Sequence, residues 1–195
     1  MCGIHGFNWN DDSLVKKMII SSTNRGPDGS DYYCNNNITL GHNLLSIIDK
    51  KNLSIQPWHT QDKKGILTYN GEIYNFLDIK NKLIFKNALS FKSNTDTEVI
   101  AEALNYFGLE IVNTFDGMFA FAFYNVDENA LYLVRDKFGI KPLYYFFNEG
   151  VLIFSSDINS ILLHSIDRAI DYQAISLYLD LGYVPGKKTH FKFIN

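Results

Sequence analysis

Residues 117–126 read GMFAFAFYNV, and no other stretch constrains the architecture as tightly. Its aromatic and small residues alternate as a buried strand requires, which makes Phe119, Phe121 and Phe123 core rather than a cofactor-binding box. A hairpin-length gap separates it from ALYLVRD at 130–136. Upstream lie ITLGHNLLSIID at 38–49 and GILTYNGEIYN at 65–75, and downstream PLYYFF at 142–147 and GVLIFSS at 150–156. All are short β-branched or aromatic runs punctuated by Gly, Asn, Asp or Pro, and they read as strands. Residues 2–9 read as a further strand, and RGPDGSD at 25–31 as a turn. Arg135 and Asp136 are expected to make a structural turn with an ion pair.

Helical spacing occurs elsewhere. In DDSLVKKMIISS, residues 11–22, an Asp-rich start precedes Leu14, Val15, Met18 and Ile19 on one stripe. In TDTEVIAEALNYFG, residues 95–108, Glu98 follows Thr95 by three positions as in a capping box, and Val99, Ala103, Leu104 and Phe107 form an apolar stripe that stops at Gly108. Residues 158–163 and 172–181 are further helix candidates. Strands outnumber helices, hairpin-length gaps dominate and helices flank the strand block. That pattern predicts one α+β domain with mainly antiparallel sheets.

With 195 residues, 46% hydrophobic and 15% aromatic, the chain can bury a substantial core. Eighteen basic against 21 acidic residues, a formal charge of −3, leave no electrostatic footprint for nucleic acid or an anionic membrane. The amino terminus lacks the pattern of a signal segment, and no run reaches the roughly 18 apolar residues of a membrane span, so a cytoplasmic location is expected. Both cysteines, Cys2 and Cys34, are expected as free thiols, and the five histidines lack metal-ligand spacing, so no metal site is expected. The last twelve residues, VPGKKTHFKFIN, lose periodicity, which suggests a chain that continues into something longer.

Cys2 raises a chemical question. A thiol attacks as thiolate, and its unperturbed pKa near 8.5 calls for a base nearby. Were Met1 removed, the new α-amino group, with a pKa of about 7.7–8.0, would supply that base within reach of its own side chain. Gly3 leaves the backbone uncrowded for a substrate. On MCG alone, a small apolar residue opening a strand is the ordinary reading.

Taken in order, MCGIHGF, RGPDGSDYY, LGHNLLSIID, YNGEIYNF, SNTDTEVI, FDGMFAFAFY and VRDKFGIKPLYY shift that reading. With them the chain resembles the amino-terminal glutaminase domain of glutamine-hydrolysing asparagine synthetases, in the class II glutamine amidotransferase family of amino-terminal-nucleophile hydrolases. The resemblance covers residues 1–191, with 192–195 as the start of a linker to a synthetase domain. It implies a four-layer α/β/β/α sandwich of two mainly antiparallel sheets. It also implies hydrolysis of L-glutamine through a Cys2 thioester, with Asn70 and Gly71 donating to the oxyanion. Substrate binding by resemblance falls on Leu44, Leu45, Ser46, Ile47, Ile48, Asn70, Gly71, Glu72 and Asp96, with Asp96 receiving the α-ammonium. Read locally, Asn70-Gly71 is a hairpin turn or a strand-to-turn junction, and Asp96 a helix-capping carboxylate.

One position departs. Where the family pattern carries an arginine that grips the α-carboxylate, this chain has Leu44 in GHNLLSI. Arg25, Arg135 and Arg168 are the only arginines, and no spacing argument assigns any of them the vacant role. Either another donor compensates, or the substrate lacks a free carboxylate, or the domain is catalytically impaired or regulatory. No cofactor is expected in this domain. ATP and Mg belong to the synthetase part, whose phosphate loop is not found here, and whose acceptor would be aspartate or another acid such as a sugar acid. A homodimer is a further expectation.

Overall fold

The structure, a computed structural model, describes residues 1–46, 55–87 and 89–195. Along the chain run β1 (Gly3–Phe7), α1 (Asp12–Ser21), β2 (Gly29–Cys34), β3 (Thr39–Leu44), β4 (Trp58–His59), β5 (Gly65–Ile73), α2 (Phe76–Asn87) and α3 (Asp96–Phe107). A 3-10 helix (Leu109–Thr114) leads into β6 (Gly117–Asn125), β7 (Ala130–Arg135), β8 (Tyr144–Asn148), β9 (Val151–Ser155), α4 (Ile158–Ile161) and α5 (Tyr172–Leu181). The strands form two sheets in the orders β2-β3-β1-β9-β8 and β4-β5-β6-β7, with every pairing antiparallel.

Strand periodicity then builds three apolar layers. On β5 and β6, Ile66, Ala120, Ala122 and Tyr124 face the other sheet, where Ile4, Leu40 and Phe154 meet them. The alternate residues Leu67, Phe119, Phe121 and Phe123 turn outward under α2 and α3, packing on Ile79, Leu83, Val99 and Leu104. Phe7, Ile153 and Phe146 face the opposite way, beneath Val15 and Met18 of α1 and Ile161 of α4. The result is the expected α/β/β/α sandwich, and 117–126 is its inner strand, covered on both faces.

Several local expectations are corrected. The expected turn at 25–31 ends early, because β2 already begins at Gly29 and pairs with Leu44. Helix α2 was not anticipated, although Ile79 and Leu83 sit on its buried side. The capping box at α3 does not form: Thr95 makes no side-chain cap, and Glu98 accepts instead from the backbone N–H groups of Lys92 and Ser93. Arg135 and Asp136 do not pair with each other. Arg135 donates to the carbonyls of Lys141 and Gly139, while Asp136 accepts from the N–H groups of Phe119, Phe138, Ile140 and Lys141. The turn is structural, as expected, but built from side chain to backbone. Helix α1 is capped as its Asp-rich start implies, with Asp11 accepting from Leu14 N–H at 2.9 Å.

Two bonds tie the sheets together where β3 and β5 face. Thr68 donates to the Gly41 carbonyl at 3.2 Å, and His42 Nε2 to the Tyr69 carbonyl at 3.2 Å. Burial holds His42 neutral, its pKa lowered to about 3. No helix among the described residues is long and apolar enough to cross a membrane.

Candidate active site

A pocket of about 200 Å³ opens where the two sheets meet. One wall comes from the five-stranded sheet: Cys2 before β1, then Leu44, Leu45 and Ser46 at and beyond the end of β3. The facing wall comes from β5 and the start of α3: Tyr69, Asn70, Gly71, Glu72 and Ile73, with Asn94 to Thr97. Met1, Gln56, Phe76 and Lys141 complete the lining. The structure thus gathers Cys2, Leu44, Leu45, Ser46, Asn70, Gly71, Glu72 and Asp96 around one cavity, while Ile47 and Ile48 lie outside the described residues.

The Cys2 sulfur is contacted by the Leu45 backbone, and its carbonyl by the Arg25 side chain. Leu45 N–H donates to its sulfur at 3.3 Å, the sulfur lies 3.7 Å from the Leu45 carbonyl, and Arg25 Nε donates to the Cys2 carbonyl at 3.3 Å. Burial pushes the thiol pKa up. The Leu45 N–H, the chain-terminal ammonium, Lys141 and Arg25 oppose that shift without cancelling it.

Asn70 and Gly71 are not at a turn. They lie inside β5, opposite Ala120 and Phe119. Glycine is required at 71 because an added Cβ would stand 2.4 Å from the Met118 carbonyl oxygen and 2.7 Å from Phe119 Cα. The residue serves a close backbone approach, which local sequence cannot distinguish from a hairpin signal. Asn70 is 2% exposed, and its Nδ2 has no hydrogen-bond partner among the described residues. A buried amide donor without a partner costs about 1–3 kcal/mol, so a group that accepts from it recovers that energy.

Asp96 opens α3 but does more than cap it. Its Oδ2 accepts from the Tyr69 hydroxyl at 2.6 Å and from Ile73 N–H at 3.0 Å. Burial raises its pKa, and the Tyr69 hydroxyl and the Ile73 and Thr97 N–H groups pull the other way. Glu72 stands exposed beside it at the pocket lining.

Leu44 is 3% exposed and lines the pocket where a cation was in question. None of the three arginines lines the cavity: Arg25 holds the Cys2 carbonyl, Arg135 the 139–141 turn, and Arg168 the Leu162 carbonyl. Lys141 is the one cationic side chain among the described lining residues, 9% exposed, with no ion pair or side-chain hydrogen bond there. Sequence reasoning missed Lys141, Tyr69 and Gln56. Gln56 accepts from Tyr69 N–H through its side chain at 2.6 Å, a contact with no local signal. Among the described residues no group of three or more His, Cys, Asp or Glu side chains could hold a metal ion.

Comparison with known proteins places this geometry among relatives. A family model described as a glutamine amidotransferase domain matches residues 1–195. An asparagine synthetase [glutamine-hydrolyzing] of Bacillus subtilis strain 168 is 34% identical over 197 residues, covering 97% of this chain and 31% of that protein. A putative asparagine synthetase [glutamine-hydrolyzing] of Methanocaldococcus jannaschii is 33% identical over 217 residues, covering 98% of this chain and 41% of that one. The chain therefore spans less than half the length of these curated relatives. The solved structure of a glutamine phosphoribosylpyrophosphate amidotransferase from B. subtilis, complexed with ADP and GMP, superposes with a TM-score of 0.65 at 16% identity, over 83% of this chain and 43% of that one. At that identity the likeness is one of fold.

Proposed function

The chain belongs to the glutamine amidotransferase domain family, and from that premise we propose that it hydrolyses the side-chain amide of L-glutamine with Cys2 as nucleophile. Its homologues are enzymes, glutamine-hydrolysing by name. The observation that carries the reading is Asn70 Nδ2, a buried donor without a partner among the described residues, lining the same cavity as Cys2.

In this scheme loss of Met1 leaves Cys2 with a free α-amino group, which takes the thiol proton. The thiolate adds to the amide carbon, and the carbonyl oxygen becomes an oxyanion that accepts from Asn70 Nδ2 and Gly71 N–H. Such donors act because they are fixed before charge develops, and losing one lowers rate by about 10²–10³-fold. The α-ammonium returns its proton to the leaving nitrogen as the C–N bond breaks, giving ammonia and a γ-glutamyl thioester. Water, deprotonated by the same amine, then cleaves the thioester to glutamate. No cofactor enters these steps. Asp96 and Glu72 take the substrate's α-ammonium, and Leu44, Leu45 and Ser46 bound its other side, joined in our reading by Ile47 and Ile48.

The length of the relatives supports a longer protein in which ammonia passes to an ATP- and Mg-dependent synthetase part that amidates an acid. Leu44 favours a second reading for the substrate's far end, a glutamine derivative without a free α-carboxylate. Intact mass of the mature chain, followed by ammonia release from glutamine and from glutamine α-amide, tests both. Retained Met1 or no ammonia from either amide would sink the mechanism, and turnover of the α-amide alone would select the second reading.

A further inference from the structure

We infer that Tyr69 is a positioning residue for recognition of the substrate's α-ammonium, acting through Asp96. The inference rests on the proposed binding role of Asp96 and concerns what makes that carboxylate usable. Tyr69 is 2% exposed, so its hydroxyl is removed from water and must find a partner. It finds Asp96 Oδ2 at 2.6 Å, a charge-assisted bond. Ile73 N–H binds the same oxygen at 3.0 Å. One side-chain donor and one backbone donor, on either side of Gly71 in β5, thereby set the rotation of the carboxylate.

The phenol also favours the charged carboxylate. Burial favours neutral Asp96, and the Tyr69 bond is the largest influence opposing it. Facing Asp96 around the cavity are Tyr69 and Glu72 from β5, the chain-terminal residue and Cys2 before β1, and Lys141 from the β7–β8 connection. Glu72 adds to the upward shift, and the hydroxyl counters it without adding charge. Tyr69 itself stays protonated, since burial and the neighbouring carboxylate push its pKa well up, so it remains a donor across the working pH range. A phenylalanine would fill the same apolar space between Asp96 and the core of β5 while removing only the donor.

The test is calorimetric binding of L-glutamine and of glutaramic acid, which lacks the α-amine, to the Cys2→Ala chain with and without Tyr69→Phe. Loss of a bond to a charged group is expected to weaken glutamine about tenfold or more, and to move the acid limb of its binding upward in pH. Glutaramic acid is expected to bind both chains equally, whereas a merely structural role for Tyr69 would weaken both ligands alike. Asp96→Glu, which keeps a carboxylate but displaces it from the hydroxyl, is expected to mimic the glutamine loss should Tyr69→Phe fold poorly. Unchanged glutamine affinity in both variants overturns the positioning role. Failure of the Cys2→Ala chain to bind either ligand overturns the underlying glutamine reading as well, and Asp96→Asn binding glutamine normally overturns the role of Asp96 itself.

Discussion

The two walls of the pocket are built on different physics. On the five-stranded side, Cys2 is fixed by backbone groups of Leu45 and by Arg25, and its neighbours Leu44 and Leu45 are apolar. On the facing side, β5 and α3 carry the polar atoms: the unpartnered Asn70 amide, the Tyr69–Asp96 bond and Glu72. A thiol nucleophile needs position and a local base, which backbone can supply. A zwitterionic substrate needs charges aimed at it, and these must be held by side chains with partners of their own. The strands that carry the two walls, β3 and β5, are tied together by the His42 and Thr68 bonds.

That contrast can be broken by substitution. Cys2→Ala removes the nucleophile and is expected to cut ammonia release by more than about 10⁴-fold, with the fold intact by circular dichroism. Residual turnover near the starting rate would relocate the chemistry away from the five-stranded wall. Next in size, Asn70→Ala is expected to lower kcat by about 10²–10³-fold with little change in KM, because the lost bond strengthens only as the oxyanion forms. An equal loss in KM would make Asn70 a recognition residue instead.

Acid sharpens the comparison from below. His5 lies behind Cys2, with Nε2 donating to Asn43 Oδ1 at 2.8 Å and Nδ1 beside Ser155 Oγ at 2.9 Å, and burial lowers its pKa to about 4. His42, between the walls, is lowered further, to about 3. Unfolding returns both to about 6.5, so below that pH the unfolded chain binds more protons and stability falls as pH drops toward 4. The expected scale at full development is about 3 kcal/mol for His5 and about 5 kcal/mol for His42, read as unfolding midpoints against pH. A flat profile between pH 6.5 and 4.5 would contradict neutral, buried histidines beneath the site.

The smallest expected effect is a gain. Leu44→Arg places a guanidinium beside the cavity and is expected to lower the KM for glutamine about tenfold. No change would mean that Lys141 or another group already serves the carboxylate.

The antiparallel α+β class was readable in the strand pattern because the inner strands are so apolar, with 117–125 alternating large and small residues and β5 buried from Gly65 to Asn70; the four-layer sandwich followed only from the resemblance carried by the ordered motifs. Helix α5 falls at its expected bounds because Asp171 caps it and Gly182 ends it in the left-handed region. Helix α2 escaped notice because Asn75, the residue before it, spends its side chain on Asp116 N–H and the Thr114 carbonyl. The site itself was legible only as ordered motifs, and the cavity gathers the described members of that set. What the motifs could not convey is contact across elements. The strand before an Asn-Gly pair gives no hint that Tyr69 reaches the first residue of a helix 27 positions away. Nor does the GIKPLYY run at 139–145 show that Lys141 borders the thiol.

The most direct test of the two-wall account is the reaction of the mature chain with 6-diazo-5-oxo-L-norleucine, followed by peptide mass analysis. The account expects a single adduct on Cys2 at an unblocked amino terminus, formed more slowly when glutamine competes and when Asn70 is replaced by Ala. A chain that keeps Met1, or whose Cys2 stays unmodified while its fold is intact, would contradict it.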